Sequence, residues 1–333
     1  MTTEKFKAMV VSEHENNTYS REIVDKEISS LPEGDVLINV KYSSLNYKDA
    51  LSATGNKGVT RNYPHTPGID AAGIVAHSIN ENFKVGDPVL VTGYDLGMNT
   101  SGGYGQYIRV PADWVVKLPE SLSPIESMIY GTAGFTAALS VYKLVASGIT
   151  PSDGDILVTG ATGGVGSIAV SILSKLGYSV IAATGKPETK NILLETGAKD
   201  IILREELDDR SGRTLLKGRW AGVIDTVGGN ILATALKSTK YGGSVTSCGN
   251  VASPELSTTV YPFILRGISL LGVDSVQCPR DLRLKLWNLL SNEWKPDNLT
   301  LNVQEVSLKD LDAKIQGILE GKLIGRTIVN LDL

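Results

Sequence analysis

A glycine-rich segment at residues 159–166 is the part of the sequence whose residue types and spacing point most directly to chemistry. It follows the apolar residues 156–158 and precedes a predicted helix from Ser167. Glycines at a strand-to-helix turn let a pyrophosphate reach backbone N–H groups, and the helix N-terminus adds partial positive charge. The segment predicts a dinucleotide site; the alternative is a glycine-rich turn without a ligand. The loop contacts are expected from Thr162, Gly163, Gly164 and Val165.

The end of the second predicted strand indicates which dinucleotide is bound. A site that selects NAD carries Asp or Glu there, about 20 residues beyond the glycine loop. Here the strand ends in Thr184, followed by Gly185 and Lys186, with no acid directly after them. A hydroxyl, a glycine and a cation suit a 2′-phosphate, and Arg204 beyond the third strand offers a second, planar cation. The sequence predicts NADPH; the alternative for Lys186 and Arg204 is solvated surface charge.

The elements that must position this loop change in type along the chain. The first 120 residues alternate short apolar strands with turns, whereas the residues from about 124 alternate helices with strands. Such alternation is typical of crossover units on a parallel sheet. Strands are expected at 8–11, 35–40, 73–76, 85–91, 102–110, 155–159, 179–184, 201–203, 222–225, 243–247 and 326–330, and helices at 124–147, 167–176, 187–196, 279–290 and 308–320.

This pattern predicts the fold class and the domain organisation. The class is α/β, with a doubly wound parallel sheet inserted in a β-rich domain. The inserted dinucleotide-binding domain is expected at 124–274, and the β-rich catalytic domain at 1–123 plus 275–333. A length of 333 residues is compatible with two domains.

Composition and charge exclude several classes of protein. The chain is 42% hydrophobic and 20% charged, which excludes a largely disordered chain. Its net charge of −4 argues against a dedicated nucleic-acid partner. The two cysteines, Cys248 and Cys278, are too few for a disulfide framework. No signal peptide or 18-residue apolar run is present, so a cytoplasmic protein without a membrane partner is expected.

The domain order, with residues 131–137 ahead of the glycine loop, resembles the medium-chain dehydrogenase/reductase superfamily. The resemblance implies that the β-rich domain is GroES-like. In zinc-dependent members a Cys and a Gly-His-Glu segment hold a catalytic metal. Here Asn46 lies in the segment that would carry the Cys, Ile69 replaces the His, and the four-Cys lobe is absent. The chain therefore resembles the zinc-independent, quinone oxidoreductase-like branch, and no metal is expected.

Four segments narrow the resemblance to the subgroup of acrylyl-CoA reductase and its quinone oxidoreductase relatives. They are residues 43–51, 63–70, 261–267 and 325–327. The resemblance implies an NADPH-dependent reductase that transfers hydride to the C=C bond of a conjugated carbonyl, with an acryloyl-CoA-like enoyl thioester as the expected substrate. Two alternatives stay open: an NADPH:quinone oxidoreductase, and a non-catalytic NADPH-binding sensor or structural protein.

Hydride addition to a conjugated carbonyl develops negative charge on the carbonyl oxygen, which needs hydrogen-bond donors. The resemblance places residues 46–49 beside the nicotinamide. Asn46 offers an amide donor, Tyr47 offers a phenol or a wall against the cofactor, and Asp49 would orient Asn46 or relay a proton. The alternative for Asn46 and Asp49 is a capping box at a helix N-terminus. For Asp70 the alternatives are a site role and a turn-stabilising hydrogen bond.

The remaining expectations concern the rest of the site and the assembly. Thr136, Asn250 and Ser275 complete the predicted cofactor residues. Tyr94 is expected to line the substrate pocket, and Arg61 and Arg266 to hold phosphates of a CoA thioester or to be ordinary surface cations. Residues 268–273 form an apolar strand that the resemblance places at a sheet edge. An exposed apolar edge invites a second copy, so a homodimer is expected.

Overall fold

The computed structural model describes residues 4–333, which form fifteen strands and eight α-helices. The strands are β1 (Lys5–His14), β2 (Thr18–Glu27), β3 (Val36–Ser44), β4 (Asp70–Ser78), β5 (Pro88–Thr92), β6 (Tyr107–Val110), β7 (Val116–Lys117), β8 (Ile156–Val158), β9 (Val180–Thr184), β10 (Asp200–Leu203), β11 (Trp220–Asp225), β12 (Thr239–Ser247), β13 (Ser269–Gly272), β14 (Val303–Ser307) and β15 (Arg326–Asn330). The helices are α1 (Tyr47–Ala53), α2 (Pro124–Ala146), α3 (Gly164–Lys175), α4 (Lys190–Thr196), α5 (Gly229–Lys237), α6 (Tyr261–Arg266), α7 (Arg280–Ser291) and α8 (Leu311–Leu319).

Packing divides these elements into two units. The first comprises the residues up to Thr132 together with Val276–Asn288 and Asn302–Leu333, and the second comprises Ala133–Ser275 and Leu289–Leu301. The domain boundaries expected from the sequence, at 123/124 and 274/275, stay predictions.

The first unit is built on a seven-stranded sheet in the order β14-β15-β3-β4-β5-β7, with β6 paired to β3. Alternation along β3 explains its place in the sheet, because Val36, Ile38 and Val40 are buried in the core while the intervening residues are more exposed. Helix α8 contributes Leu311 and Ile315 to the same core. Strands β1 and β2 form a separate antiparallel hairpin.

The second unit contains a six-stranded sheet in the order β10-β9-β8-β11-β12-β13, in which every neighbouring pair is parallel. The residues of β8, β9 and β11 are all buried, as is usual for strands covered on both faces. The order reverses between β8 and β11, which makes their carboxyl ends the topological switch point where open α/β sheets bind ligands. The doubly wound parallel sheet predicted from the sequence is confirmed.

Helix α2 differs from the uninterrupted helix predicted for residues 124–147. Its backbone leaves the helical region at Gly131, where φ is 49° and ψ is −155°. A Cβ at this position would overlap the Asp70 carboxylate and lie 2.7 Å from Ser44 Oγ, so the close approach requires glycine.

Several other elements differ from the expectations. The helix predicted from residue 187 begins with a 3₁₀ turn at Pro187–Thr189, and α4 starts at Lys190. The sequence did not reveal β2, β7, β14, α5 or α6. Strand β2 was missed because its exposed hairpin carries polar side chains instead of an apolar run. No helix in residues 4–333 is long and apolar enough to cross a membrane.

Candidate active site

The glycine loop of the second unit joins β8 to α3. Gly160 adopts a φ of 60°. A Cβ on Gly166 would overlap the Gly160 carbonyl oxygen and lie 2.8 Å from the Ala161 Cα, so the turn closes only without a side chain there. Ala161 N–H donates to the Ala183 carbonyl at 3.1 Å, which ties the loop to β9. The loop is therefore a tight, fixed turn at the switch point.

The start of α3 supplies the donors that the turn presents. Helix α3 begins at Gly164, with Gly163 as its N-cap and no side chain capping it. The first N–H groups of an α-helix, here those of Gly164 and Val165, have no acceptor inside the helix. Thr162 is almost fully buried beside them. These features fit the pyrophosphate of a dinucleotide, because the donors, the helix dipole and the missing Cβ atoms all favour an anion.

The end of β9 has the chemistry expected of a ribose phosphate site. Thr184 is buried, and its hydroxyl accepts the Lys186 N–H at 2.9 Å, so this hydroxyl shapes the turn. The Arg204 guanidinium lies against Gly185, where an added Cβ would sit 3.0 Å from its Cζ. Partial burial lowers the pKa of Lys186. The absence of a side chain at Gly185 thus leaves room for the Arg204 guanidinium next to the residue that precedes Lys186.

The other predicted cofactor residues of this unit lie at two places. The Thr136 hydroxyl donates to Ser275 Oγ at 2.7 Å, and both side chains are buried. Asn250 is exposed in the segment after β12. The structure therefore brings Thr136 and Ser275 together.

A buried polar cluster in the first unit is centred on Asp70, at the start of β4. The Asp70 carboxylate accepts hydrogen bonds from Ser44 Oγ at 2.6 Å, Asn46 Nδ2 at 2.7 Å and Thr132 Oγ1 at 2.6 Å. It also accepts the Thr132 backbone N–H at 2.9 Å, which the break of α2 at Gly131 directs towards it. Buried ions need such partners, and here both carboxylate oxygens are engaged.

Arg326, at the start of β15, brings the compensating positive charge. Its guanidinium donates to Ser44 Oγ at 2.7 Å, to the Ile129 carbonyl at 2.9 Å and to Asn46 Oδ1 at 3.3 Å. Burial lowers the pKa of Arg326, and the nearby Asp70 charge opposes that shift. In the sequence, Arg326 stands out only as part of the family-like segment 325–327. An arginine at the start of the apolar strand 326–330 was the sequence signal that could have identified it.

Asn46 and Asp49 form the capping box that was the structural alternative for them. Asp49 Oδ2 accepts the Asn46 N–H at 2.8 Å and Asn46 Nδ2 at 3.2 Å, and Asp49 Oδ1 accepts the Ile69 N–H at 2.8 Å. Both amide hydrogens of Asn46 are thus directed to carboxylates inside the protein. Burial, and then the like charge of Asp70, raise the pKa of Asp49 to about 7. Both residues hold the N-terminus of α1.

Tyr47 is the most exposed residue of segment 46–49, with 39% of its surface exposed. Tyr94 has a φ of 54°, stacks on Trp114 with ring centroids 5.4 Å apart, and carries the buried Arg283 guanidinium 4.4 Å from its ring centroid. These contacts hold Tyr94 in a backbone conformation that is rare for a bulky residue.

The two arginines proposed for CoA phosphates differ in their surroundings. Arg61 is exposed. Arg266, at the end of α6, donates to the Lys237 carbonyl at 2.9 Å and the Thr239 carbonyl at 2.8 Å, and also to the Leu216 carbonyl. The Arg266 guanidinium is thus committed to three backbone carbonyls.

The residues at the positions of the zinc ligands do not fit a metal. Ile69 is a buried apolar side chain without a ligand atom, and the amide of Asn46 and the carboxylate of Asp70 are saturated by internal hydrogen bonds. Within residues 4–333 no group of three or more His, Cys, Asp or Glu side chains could hold a metal ion. These positions therefore offer no imidazole or thiolate to zinc, and their one carboxylate is already engaged by internal hydrogen bonds.

Comparison with known families agrees with this architecture. Residues 32–120 match the alcohol dehydrogenase GroES-like domain, and residues 164–292 match the family described as zinc-binding dehydrogenase. The chain is 44% identical to acrylyl-CoA reductase AcuI of Ruegeria pomeroyi over 328 residues, which cover 98% of this chain and 99% of the relative. The chain belongs to the medium-chain dehydrogenase/reductase superfamily. Within it, the sequence lies in the quinone oxidoreductase-like subgroup that contains acrylyl-CoA reductase.

Two further members of this superfamily define the cofactor class. "Putative quinone oxidoreductase YhfP" of Bacillus subtilis is 49% identical over 302 residues, covering 90% of this chain and 92% of the relative. Its crystal structure with NAD bound has a TM-score of 0.96 at 46% identity and covers 98% of this chain and 100% of that one. The structure of Escherichia coli YhdH with bound NADPH has a TM-score of 0.94 at 43% identity and covers 97% and 99%. This medium-chain reductase is therefore an oxidoreductase that uses a nicotinamide dinucleotide.

Proposed function

We propose that this reductase uses NADPH to reduce the C=C bond of a conjugated thioester of the acryloyl-CoA type. The observation that carries the substrate class is the 44% identity to acrylyl-CoA reductase along 98% of the chain. In the reaction, hydride adds to the β-carbon, a proton adds to the α-carbon, and NADP⁺ and the saturated thioester are released.

The choice of NADPH over NADH rests on the end of β9. Lys186 and Arg204 flank Gly185, and the strand carries no carboxylate to repel a 2′-phosphate. One similar structure contains NADPH and another contains NAD, so similarity does not distinguish the two cofactors. The choice of NADPH therefore rests on the residues at the end of β9. Each charge-assisted hydrogen bond to the phosphate contributes about 1.5–3 kcal/mol, which corresponds to about 10- to 150-fold in affinity.

The nicotinamide, when bound, supplies the hydride. The protein must then stabilise the charge that develops on the thioester oxygen. We assign this role to the phenol of Tyr47, because Tyr47 is exposed, whereas the Asn46 side-chain amide already donates to Asp49 and Asp70. Asn46 and Asp49 act as positioning residues that fix the first turn of α1. Arg61 and Tyr94 are the proposed substrate contacts.

The test is NADPH oxidation with acryloyl-CoA and with a benzoquinone, side by side, under identical conditions. We expect turnover with acryloyl-CoA, and Tyr47→Phe should lower kcat by about 100- to 1000-fold, the cost of removing an oxyanion donor. Tyr241→Phe is the matched control, because Tyr241 is an exposed phenol remote in sequence from α1. If the protein binds NADPH but does not reduce acryloyl-CoA, the proposed substrate class is refuted.

Quinone reduction is the second candidate, and the 49% identity to YhfP favours it. Turnover with the benzoquinone alone would establish it in place of the thioester reaction. The non-catalytic sensor considered from the sequence is not supported, because these relatives are named oxidoreductases.

The proposed enzyme is a homodimer that pairs through β13. This strand lies at the edge of the parallel sheet, so one row of its backbone groups has no strand partner. The adjacent helix α6 carries the exposed apolar residues Ile264 and Leu265, which are 67% and 57% exposed. A second copy related by a two-fold axis would cover both the strand edge and these apolar side chains.

A further inference from the structure

Asp225, at the carboxyl end of β11, is a fully buried carboxylate with no part in the reaction steps above. Its Oδ1 accepts the Thr159 hydroxyl at 2.7 Å, and its Oδ2 accepts the Gly228 N–H at 2.8 Å. Thr159 is the first residue of the glycine loop, directly after β8, and Gly228 directly precedes α5. One side chain therefore joins the two turns that flank the topological switch point.

Thr226 completes the link between these turns. Its N–H donates to Thr159 Oγ1 at 3.0 Å, and its own hydroxyl donates to the Thr159 carbonyl at 2.9 Å. A Cβ on Gly160 would overlap the Thr226 hydroxyl, and a Cβ on Gly249 would overlap the Thr226 carbonyl oxygen. The turns after β8, β11 and β12 thus meet around Thr226: its hydroxyl and N–H bond Thr159, and its carbonyl lies against Gly249.

The backbone of Asp225 also holds the turn after β12. Its carbonyl accepts the Cys248 N–H at 3.0 Å. Burial raises the pKa of Asp225, and burial together with the Asp225 charge raises the pKa of the Cys248 thiol to about 12, so this thiol is not a reactive thiolate. Burying a carboxylate costs free energy, and its negative charge does not attract phosphate. Its two oxygens, however, accept the Thr159 hydroxyl from one turn and the Gly228 N–H from the other.

We propose that Asp225 is a positioning residue for the dinucleotide: acting through the Thr159 hydroxyl, it fixes the glycine loop in the conformation that receives the pyrophosphate. The inference rests on the proposed dinucleotide site. It adds that the loop geometry depends on a carboxylate–hydroxyl pair on neighbouring strands rather than on the glycines alone.

The experiment compares the affinities of folded variants for NADPH and for adenosine 2′-monophosphate, a fragment that lacks the pyrophosphate. Thr159→Val removes the hydroxyl at constant volume, and Asp225→Asn places an amide group against one of two donors. We expect both to raise the NADPH Kd by about tenfold or more, equal to the loss of about one hydrogen bond. The fragment Kd should stay within about twofold, because the adenosine half does not contact the pyrophosphate turn.

Two further variants separate positioning from stability. Thr159→Ser keeps the hydroxyl and should restore NADPH affinity to within about threefold of wild type. Thr246→Val removes another buried hydroxyl of the same sheet, one that bonds the Val223 carbonyl at 3.3 Å and touches neither turn. It should lower the unfolding temperature and leave the NADPH Kd unchanged.

Three outcomes would overturn the inference: an NADPH Kd unchanged in Thr159→Val, parallel losses for NADPH and the fragment, or failure of Thr159→Ser to restore binding. If Asp225→Asn does not fold, the NADPH affinities of Thr159→Val and Thr159→Ser are sufficient to test the inference. Since every readout is equilibrium binding, a protein that binds NADPH but reduces no acryloyl-CoA would refute the proposed function and leave this inference standing.

Discussion

Replacing Gly131 by alanine tests whether the break in α2 is required by the buried cluster around Asp70. The residue has a φ of 49° and a ψ of −155°, in a region that is close to glycine-only. The added Cβ would overlap Asp70 Oδ2 and lie 2.7 Å from Ser44 Oγ and 3.0 Å from an Arg326 nitrogen. Neither the carboxylate nor the guanidinium can move without losing buried hydrogen bonds.

The expected cost has two parts. Backbone strain of this kind costs about 1–3 kcal/mol. Displacing Asp70 weakens at least one charge-assisted bond from Thr132, at about 1.5–3 kcal/mol each. The two parts sum to about 2.5–6 kcal/mol. At about 2–4 °C per kcal/mol for a unit of this size, the unfolding temperature should fall by roughly 5–24 °C.

Gly86→Ala is the matched control in the same unit. Gly86 has a φ of 95°, but a Cβ there would meet nothing within 4 Å, so the variant reports backbone strain alone, at about 1–2 kcal/mol. Thermal unfolding followed by circular dichroism and calorimetry measures both. Equal unfolding temperatures for the two variants would refute the claim that the cluster forbids a side chain at residue 131.

The remaining predictions address the cofactor, the metal, the assembly and pH. In titrations, Lys186→Ala should weaken NADPH binding by about 10-fold or more and leave NADH binding unchanged, with Lys190→Ala as the control. Equal affinities of the wild type for NADPH and NADH would contradict the 2′-phosphate site. Elemental analysis should find no stoichiometric zinc, and a chelator should leave turnover intact; one tightly held zinc per chain would overturn the zinc-independent assignment. Light scattering should show a wild-type dimer and a Leu271→Lys monomer, whereas Leu203→Lys, on the opposite edge strand, should stay dimeric; a monomeric wild type would defeat the proposed interface. Because the pKa of Asp49 is raised to about 7, this carboxyl binds a proton in the folded state between pH 4 and 7 that the unfolded chain releases, so its contribution to stability is lost as pH rises through 7. The wild type should therefore lose up to about 4 kcal/mol relative to Asp49→Asn across that range in urea unfolding, and a constant difference would contradict the raised pKa.

The sequence alone determined those features that depend on neighbouring residues. The glycine loop between an apolar strand and a helix, the strand that ends in Thr184 without an acid, and the helix–strand alternation after residue 124 are all local patterns. Steric freedom at glycine, the helix dipole and hydrophobic periodicity act over a few residues, so they can be interpreted in sequence order. The same locality explains why the Asn46–Asp49 capping box was anticipated from a spacing of three residues.

Only the tertiary structure decided how distant residues share a role. Asp70 and Arg326 are far apart in the chain, yet both bond Ser44 Oγ in one buried cluster, and that cluster lies against Gly131, where α2 breaks. Asp225 likewise meets Thr159 only because β8 and β11 become neighbours in the sheet. A buried charge is tolerable only where the fold delivers its partners, and no local pattern states which distant strand will supply them.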